Sequence, residues 1–135
     1  MKTQRKYGDT HAYGQVFVFG SNLLGMHGGG AAAYALKNCG AIWGQGEGLQ
    51  GSSYALPTKA SYEQSLTVEQ LYDHVMTFID YATVHPEMEF FVTRVGCGLA
   101  GFTDEEVGPM FAATPSNCVL PTAWEKYPGG ILCGV

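Results

Sequence analysis

Apolar residues recur along this chain with two different periods. Val16-Phe17-Val18-Phe19 is a short β-branched and aromatic run bounded by glycine, the pattern of a buried strand. Gly28-Gly29-Gly30 leads from it into Ala31 to Asn38, an Ala/Leu-rich helical segment stopped by Gly40. Thr67 opens the clearest helix. With Gln70 three residues on it forms a capping-box pattern, and Leu71, Val75, Phe78, Ile79 and Ala82 follow at helical spacing. Tyr54-Ala55-Leu56 predicts a short strand closed by Pro57, Glu89 to Val95 a buried strand, and Cys118-Val119-Leu120 a last one. Thr103 caps a further helix, with Asp104, Glu105 and Glu106 in its first turn. Gly44 to Ser53 (GQGEGLQGSS) reads as a flexible surface loop.

Strands alternating with helices predict an α/β fold with a mostly parallel, mixed sheet covered on both faces, in three α/β/α layers. With 135 residues, no internal repeat and no linker, the chain is expected to form one domain over residues 1–135.

Composition sharpens this picture at three points. The chain is 46% hydrophobic and 14% charged, as a packed globule requires. Its net charge is −5 with seven Lys and Arg, too few for a basic face, so general nucleic-acid binding is not expected. Cys39, Cys97, Cys118 and Cys133 lack CxxC spacing and a paired His motif, so no metal is expected. The lack of a signal-like segment or an apolar run of membrane length predicts a cytoplasmic protein with reduced thiols and no membrane contact.

Glycine is the outlier, with 19 residues in clusters, against a usual share of roughly 7%. Two clusters, Gly25 to Gly30 and Gly96 to Gly101, each follow a predicted strand and open a helix. In α/β sheets, ligands bind at the carboxyl ends of strands, where helix N-termini point N–H groups outward. Glycine lets the backbone approach an anion closely. Two such loops could cradle a diphosphate between them; the alternative is that the glycines only permit tight strand–helix turns. Neither loop ends in the Gly-Lys-Ser/Thr of a Walker A motif, and Glu47, near the Rossmann spacing, lies inside a glycine-rich stretch.

These residues resemble the macrodomain family, which binds ADP-ribose. Gly8-Asp9-Thr10 precedes the strand, Phe19-Gly20-Ser21-Asn22 ends it, and Leu23 to Gly30 (LLGMHGGG) is similar to the family's first phosphate loop. Arg94-Val95-Gly96-Cys97-Gly98-Leu99 resembles the second loop of the glutamate-directed terminal ADP-ribose glycohydrolase branch. Leu56 to Ser61 is similar to that branch's strand ending in its catalytic lysine.

The resemblance implies that Asp9 accepts from the adenine amino group and that Asn22 faces the distal ribose. It implies that Gly28, Gly29 and Gly30 meet one phosphate, and that Gly96, Cys97, Gly98, Leu99, Ala100 and Gly101 form the loop that meets the other. Phe102 would line the distal ribose. Trp124, just past the last strand, is a candidate for stacking on adenine, or else a core anchor. Asp9 could equally be a solvated turn acid.

The same resemblance makes Lys59 the candidate nucleophile, its amine attacking the anomeric carbon to give a Schiff base through the opened ribose. The alternative is an ordinary surface lysine. Two acids of the hydrolytic branches are replaced, one by Ala100 and one within Ala31-Ala32-Ala33. His27, inside the first loop, is a candidate general base in their place, or a loop histidine facing phosphate or water.

Three functions compete on this reading. The first is a hydrolase releasing ADP-ribose through Lys59, and the second a non-catalytic reader or sponge for ADP-ribose or a related signalling nucleotide. The third is a protein–protein module using the stretch from Trp43 to Gly51. No cofactor is expected, and the oligomeric state is left open.

Overall fold

The computed structural model describes residues 5–127. Six strands form one sheet: β1 (Lys6–Tyr7), β2 (Val16–Asn22), β3 (Gly48–Gln50), β4 (Ser53–Lys59), β5 (Phe90–Val92) and β6 (Cys118–Leu120). The helices are α1 (Gly30–Asn38), α2 (Val68–Thr83) and α3 (Asp104–Val107), which runs on into a 3₁₀ turn over Gly108–Phe111. The strand order is β1-β6-β5-β2-β4-β3. Every neighbouring pair is parallel except β3 with β4. The chain is therefore α/β with a mostly parallel mixed sheet.

Alternation along each strand sends side chains to opposite faces. Val16, Val18, Tyr54, Leu56, Phe90 and Val92 turn to one face, where they meet Leu71, Val75, Phe78, Ile79 and Ala82 of α2, with Val107, Phe111 and Trp124. Phe17, Phe19, Ala55, Phe91 and Val119 turn to the other and pack on Ala32 and Ala35 of α1. Helices thus cover both faces. The α2 stripe is the one its spacing predicts, and the helix opens on a complete capping box between Thr67 and Gln70. Thr103 and Glu106 make a second box at α3.

Four expectations need correction. The strand from Tyr54 continues through Pro57 to Lys59. β3 pairs with β4 only as far as Ala55, so at Pro57 that side of β4 has no strand needing the missing N–H. The strand foreseen from Glu89 to Val95 is only Phe90–Val92, because the chain folds back in a tight turn, Val95 N donating to the Thr93 carbonyl at 2.7 Å. β1 was not foreseen; two residues suffice because β6 supplies a parallel partner.

The stretch from Gly44 to Ser53 is not a flexible loop. It holds β3, and Gln50 within it is buried. Its glycines allow backbone to lie on backbone: a Cβ on Gly46 would sit 2.5 Å from the Leu23 carbonyl oxygen, and one on Gly25 would sit 2.3 Å from the Gly44 carbonyl carbon. Ser21 Oγ donates to the Gly46 carbonyl at 2.5 Å, closing the contact. Much of the glycine excess therefore serves packing. Among the described residues no helix is long and apolar enough to cross a membrane. Cys133 lies outside the described residues.

Candidate functional site

Parallel strands deliver their carboxyl ends to one rim. Asn22 leaves β2 there, Lys59 leaves β4, Thr93 and Arg94 follow β5, Pro121 follows β6, and Gly8 and Asp9 follow β1. A cavity of about 410 Å³ opens at this rim, lined by Asn22, Gly29, Gly30, Lys59, Arg94 and Gly98, among others. A neighbouring groove of about 430 Å³ is lined by Gly8, Asp9, Pro121 and Thr122. Thr93 and Arg94 line both, so the two compartments meet there.

Two backbone stretches whose N–H groups have no backbone acceptor among the described residues line the cavity. Helix α1 starts on Gly29, which provides no side-chain cap, and its first turn carries no acid. The first N–H groups of a helix have no acceptor of their own, and the macrodipole makes that end positive. Gly29, Gly30, Ala31 and Ala32 all line the cavity. Opposite them, the second loop is closed by Gly101 N donating to Gly98 O at 3.0 Å and Phe102 N to Gly96 O at 2.8 Å. Both closures use glycines in the left-handed region, Gly96 at φ +79° and Gly101 at φ +84°. The N–H groups of Gly98, Leu99 and Ala100 donate to no backbone acceptor among the described residues.

The charged residues lining the cavity are Lys59 and Arg94, and no acid or histidine is among its lining residues. Lys59 Nζ donates to the Tyr62 carbonyl at 2.5 Å. Arg94 forks onto Asp104, Nε to Oδ1 at 3.0 Å and the terminal nitrogen to Oδ2 at 2.6 Å. Asp104 Oδ1 also accepts from Trp124 Nε1 at 2.8 Å. The Arg94 hydrogen bonds, assisted by Trp124, hold the Asp104 carboxyl down to about 2. Asp9 accepts from the Thr122 hydroxyl at 2.5 Å and the Thr122 N–H at 3.1 Å, which lowers its pKa. Burial pushes the Cys97 thiol up to about 12, so it lines the wall as a neutral group. No cluster of three or more metal-ligating side chains occurs among the described residues.

The structure brings together Asn22, Gly29, Gly30, Lys59, Gly96, Cys97, Gly98, Leu99 and Ala100 around the cavity. Asn22 is committed locally, its amide accepting from Met26 N at 2.9 Å and donating to Met26 O at 3.0 Å, so it braces the first loop. Asp9 lies in the adjoining groove. Gly101 and Phe102 do not line the cavity; Phe102 packs against Gly96 and the core behind the loop.

Two candidates are displaced outright. His27 is 1% exposed and stands edge-on to Phe19, ring centroids 5.1 Å apart, beneath the first loop. Its Nε2 lies 3.1 Å from Gln50 Oε1. The Gln50 amide nitrogen donates to the Gln45 and Gly48 carbonyls, so its oxygen must face His27, and Nε2 is the donor. His27 is a core histidine, not a base in the cavity. Trp124 is likewise 1% exposed, packed on Phe111 at 4.9 Å, and offers no face to a ligand.

Sequence reasoning missed Tyr62, Thr93 and the part played by Arg94. Arg94 directly precedes the Val-Gly-Cys-Gly stretch, and that adjacency was its only signal. Tyr62 had none, because it reaches the cavity through a hairpin of residues 60–64. No family model, curated protein or solved structure matches this chain.

Proposed function

We propose that the cleft binds ADP-ribose or a closely related nucleotide, in a macrodomain-like three-layer domain working in the cytoplasm. One observation carries the reading: two sets of uncommitted backbone N–H groups, at the start of α1 and in the Gly96 to Gly101 loop, flank a single cavity. Oriented amides bind a diphosphate without net positive charge, which suits a chain of net charge −5. The cavity's size falls in the usual small-molecule range of roughly 300–1,000 Å³. Lys59, which forms no ion pair among the described residues, adds positive charge to the lining, whereas Arg94 is paired with Asp104. The adjoining groove gives a ligand longer than a mononucleotide room to run along the rim, past Arg94 toward Asp9.

Calorimetric titration with ADP-ribose tests this, with saturable binding expected at micromolar to low-millimolar ligand. Absence of any heat at millimolar ADP-ribose would refute it.

Hydrolysis is the second reading, favoured by the position of Lys59 in the cavity wall. Its amine would attack the anomeric carbon and displace the linked group, the C–O bond to it breaking as that group departs with a proton; ring opening then gives a Schiff base, and water hydrolyses it to free ADP-ribose and the amine. Lys59→Ala should abolish release of ADP-ribose from acylated or protein-linked substrates while binding persists. Wild-type protein that binds ADP-ribose and releases it from none of these substrates is a reader.

A further inference from the structure

The seat of Tyr62 has a physical reason written in the first glycine loop. Gly28 is not in the left-handed region, so its backbone conformation does not require glycine. What the missing side chain leaves room for is the tip of Tyr62: a Cβ there would lie 1.7 Å from the Tyr62 hydroxyl oxygen and 3.0 Å from Cζ, so any larger residue would push that side chain aside. Gly28 does not line the cavity, whereas Tyr62 does. The glycine expected to meet phosphate thus receives the hydroxyl end of an aromatic side chain instead.

The hairpin that carries the ring is tied to both sides of the cleft. It is closed by Ala60 N donating to Gln64 O at 2.7 Å, and Ser65 Oγ donates to the Ala100 carbonyl of the second loop at 2.6 Å. Lys59 Nζ grips the Tyr62 carbonyl. Tyr62 remains 48% exposed, and its hydroxyl has no hydrogen-bond partner among the described residues. It is the single aromatic side chain among the residues lining the cavity. It stands at the β4 end of the rim, and the Asp9 groove continues from the β5 side.

We infer that Tyr62, seated on Gly28 beside Lys59, is the specificity-determining residue of the cleft. Its ring covers a sugar attached beyond the phosphates, so the site prefers a nucleoside diphosphate sugar to the bare diphosphate. This rests on the nucleotide reading above. An aromatic face stacks on the apolar face of a sugar, and the free hydroxyl can donate to a sugar oxygen. ADP reaches the two amide clusters and has no group to place under the ring.

The test is calorimetric titration of wild type, Tyr62→Ala, Gly28→Ala and the double variant with ADP and with ADP-ribose. Thermal melting establishes that each variant is folded. Tyr62→Ala should lower the ratio of ADP-ribose to ADP affinity roughly tenfold. Gly28→Ala should lower the same ratio when Tyr62 is present, because the added methyl displaces the ring, and should have less than about a twofold effect once Tyr62 is removed. A ratio unchanged by Tyr62→Ala overturns the assignment. So does a Gly28→Ala effect of equal size in both backgrounds, which would mean that Gly28 meets phosphate and not the ring. Wild type that binds neither ligand defeats the nucleotide reading itself, and the inference falls with it.

Discussion

Asp104 ties the cleft to the core, and removing it has consequences that can be apportioned atom by atom. Its Oδ1 serves two donors, Trp124 Nε1 and Arg94 Nε, while Oδ2 serves the Arg94 terminal nitrogen. Trp124 is buried, so Asp104→Ala leaves an indole N–H without its acceptor, at a cost of about 1–3 kcal/mol. The Arg94 side chain is 54% exposed, so solvent screens the ion pair and its loss adds only about 0.2–1 kcal/mol. Asp104→Ala should therefore destabilise by about 1–4 kcal/mol. Asp104→Asn keeps an oxygen for Trp124 and loses the charge, costing about 1 kcal/mol or less. Urea unfolding followed by tryptophan fluorescence measures both.

The pH dependence has a definite sign. The folded carboxyl sits at about 2, below its ordinary value of 3.8. Its contribution is complete above that ordinary value and is lost as pH falls through the window between the two. The gap in stability between wild type and Asp104→Asn should thus narrow between about pH 5 and about pH 2. Equal destabilisation by Ala and Asn would refute the role given to the Trp124 bond. A gap that holds constant with pH would refute the role given to the Arg94 pair.

Three further outcomes follow from the packing. Gly46→Ala drives a methyl into the Leu23 carbonyl, so it should cost about 2 kcal/mol or more in urea unfolding and weaken ADP-ribose binding through the displaced first loop. His27→Phe removes one of two donors to Gln50 Oε1, which keeps the Ile42 N–H, and also removes the buried, unpartnered Nδ1, so it should change stability by less than about 1 kcal/mol and leave the calorimetric affinity for ADP-ribose within about twofold; a histidine lining the cavity would behave otherwise. Thr67→Ala removes the capping box of α2 and should lower stability by about 1 kcal/mol, read as a drop in melting temperature with unchanged affinity.

Local rules are enough to read much of this protein from its sequence. The α2 stripe, both threonine caps and the strand–glycine–helix units each depend on residues a few positions apart, and those interactions hold whatever surrounds them. The same locality explains why Lys59 and the second loop could be placed in one site: parallel strands all end at one rim, and both follow such strands. The errors lie where a residue's partner is distant in the chain. Pro57 reads as a strand end until β3 is seen to stop short of it. The stretch from Gly44 to Ser53 reads as flexible until its glycines are found against Asn22 to Gly25.

The candidate site divides in the same way. Sequence alone placed most of the backbone lining, Gly29, Gly30 and Gly96 to Ala100, because glycine-rich loops after buried parallel strands emerge at one rim, but it misplaced Gly28 and Gly101. Tertiary structure alone decided the side chains. His27 and Trp124 sit one turn from the cleft in sequence terms, yet packing against Phe19 and Phe111 rotates both inward, where apolar burial outweighs any polar use at the surface. Tyr62 moves the other way, carried onto Gly28 by a hairpin whose position depends on β4, the second loop and Lys59 together. A side chain's direction is set by everything packed around it, and a one-dimensional pattern does not contain that information.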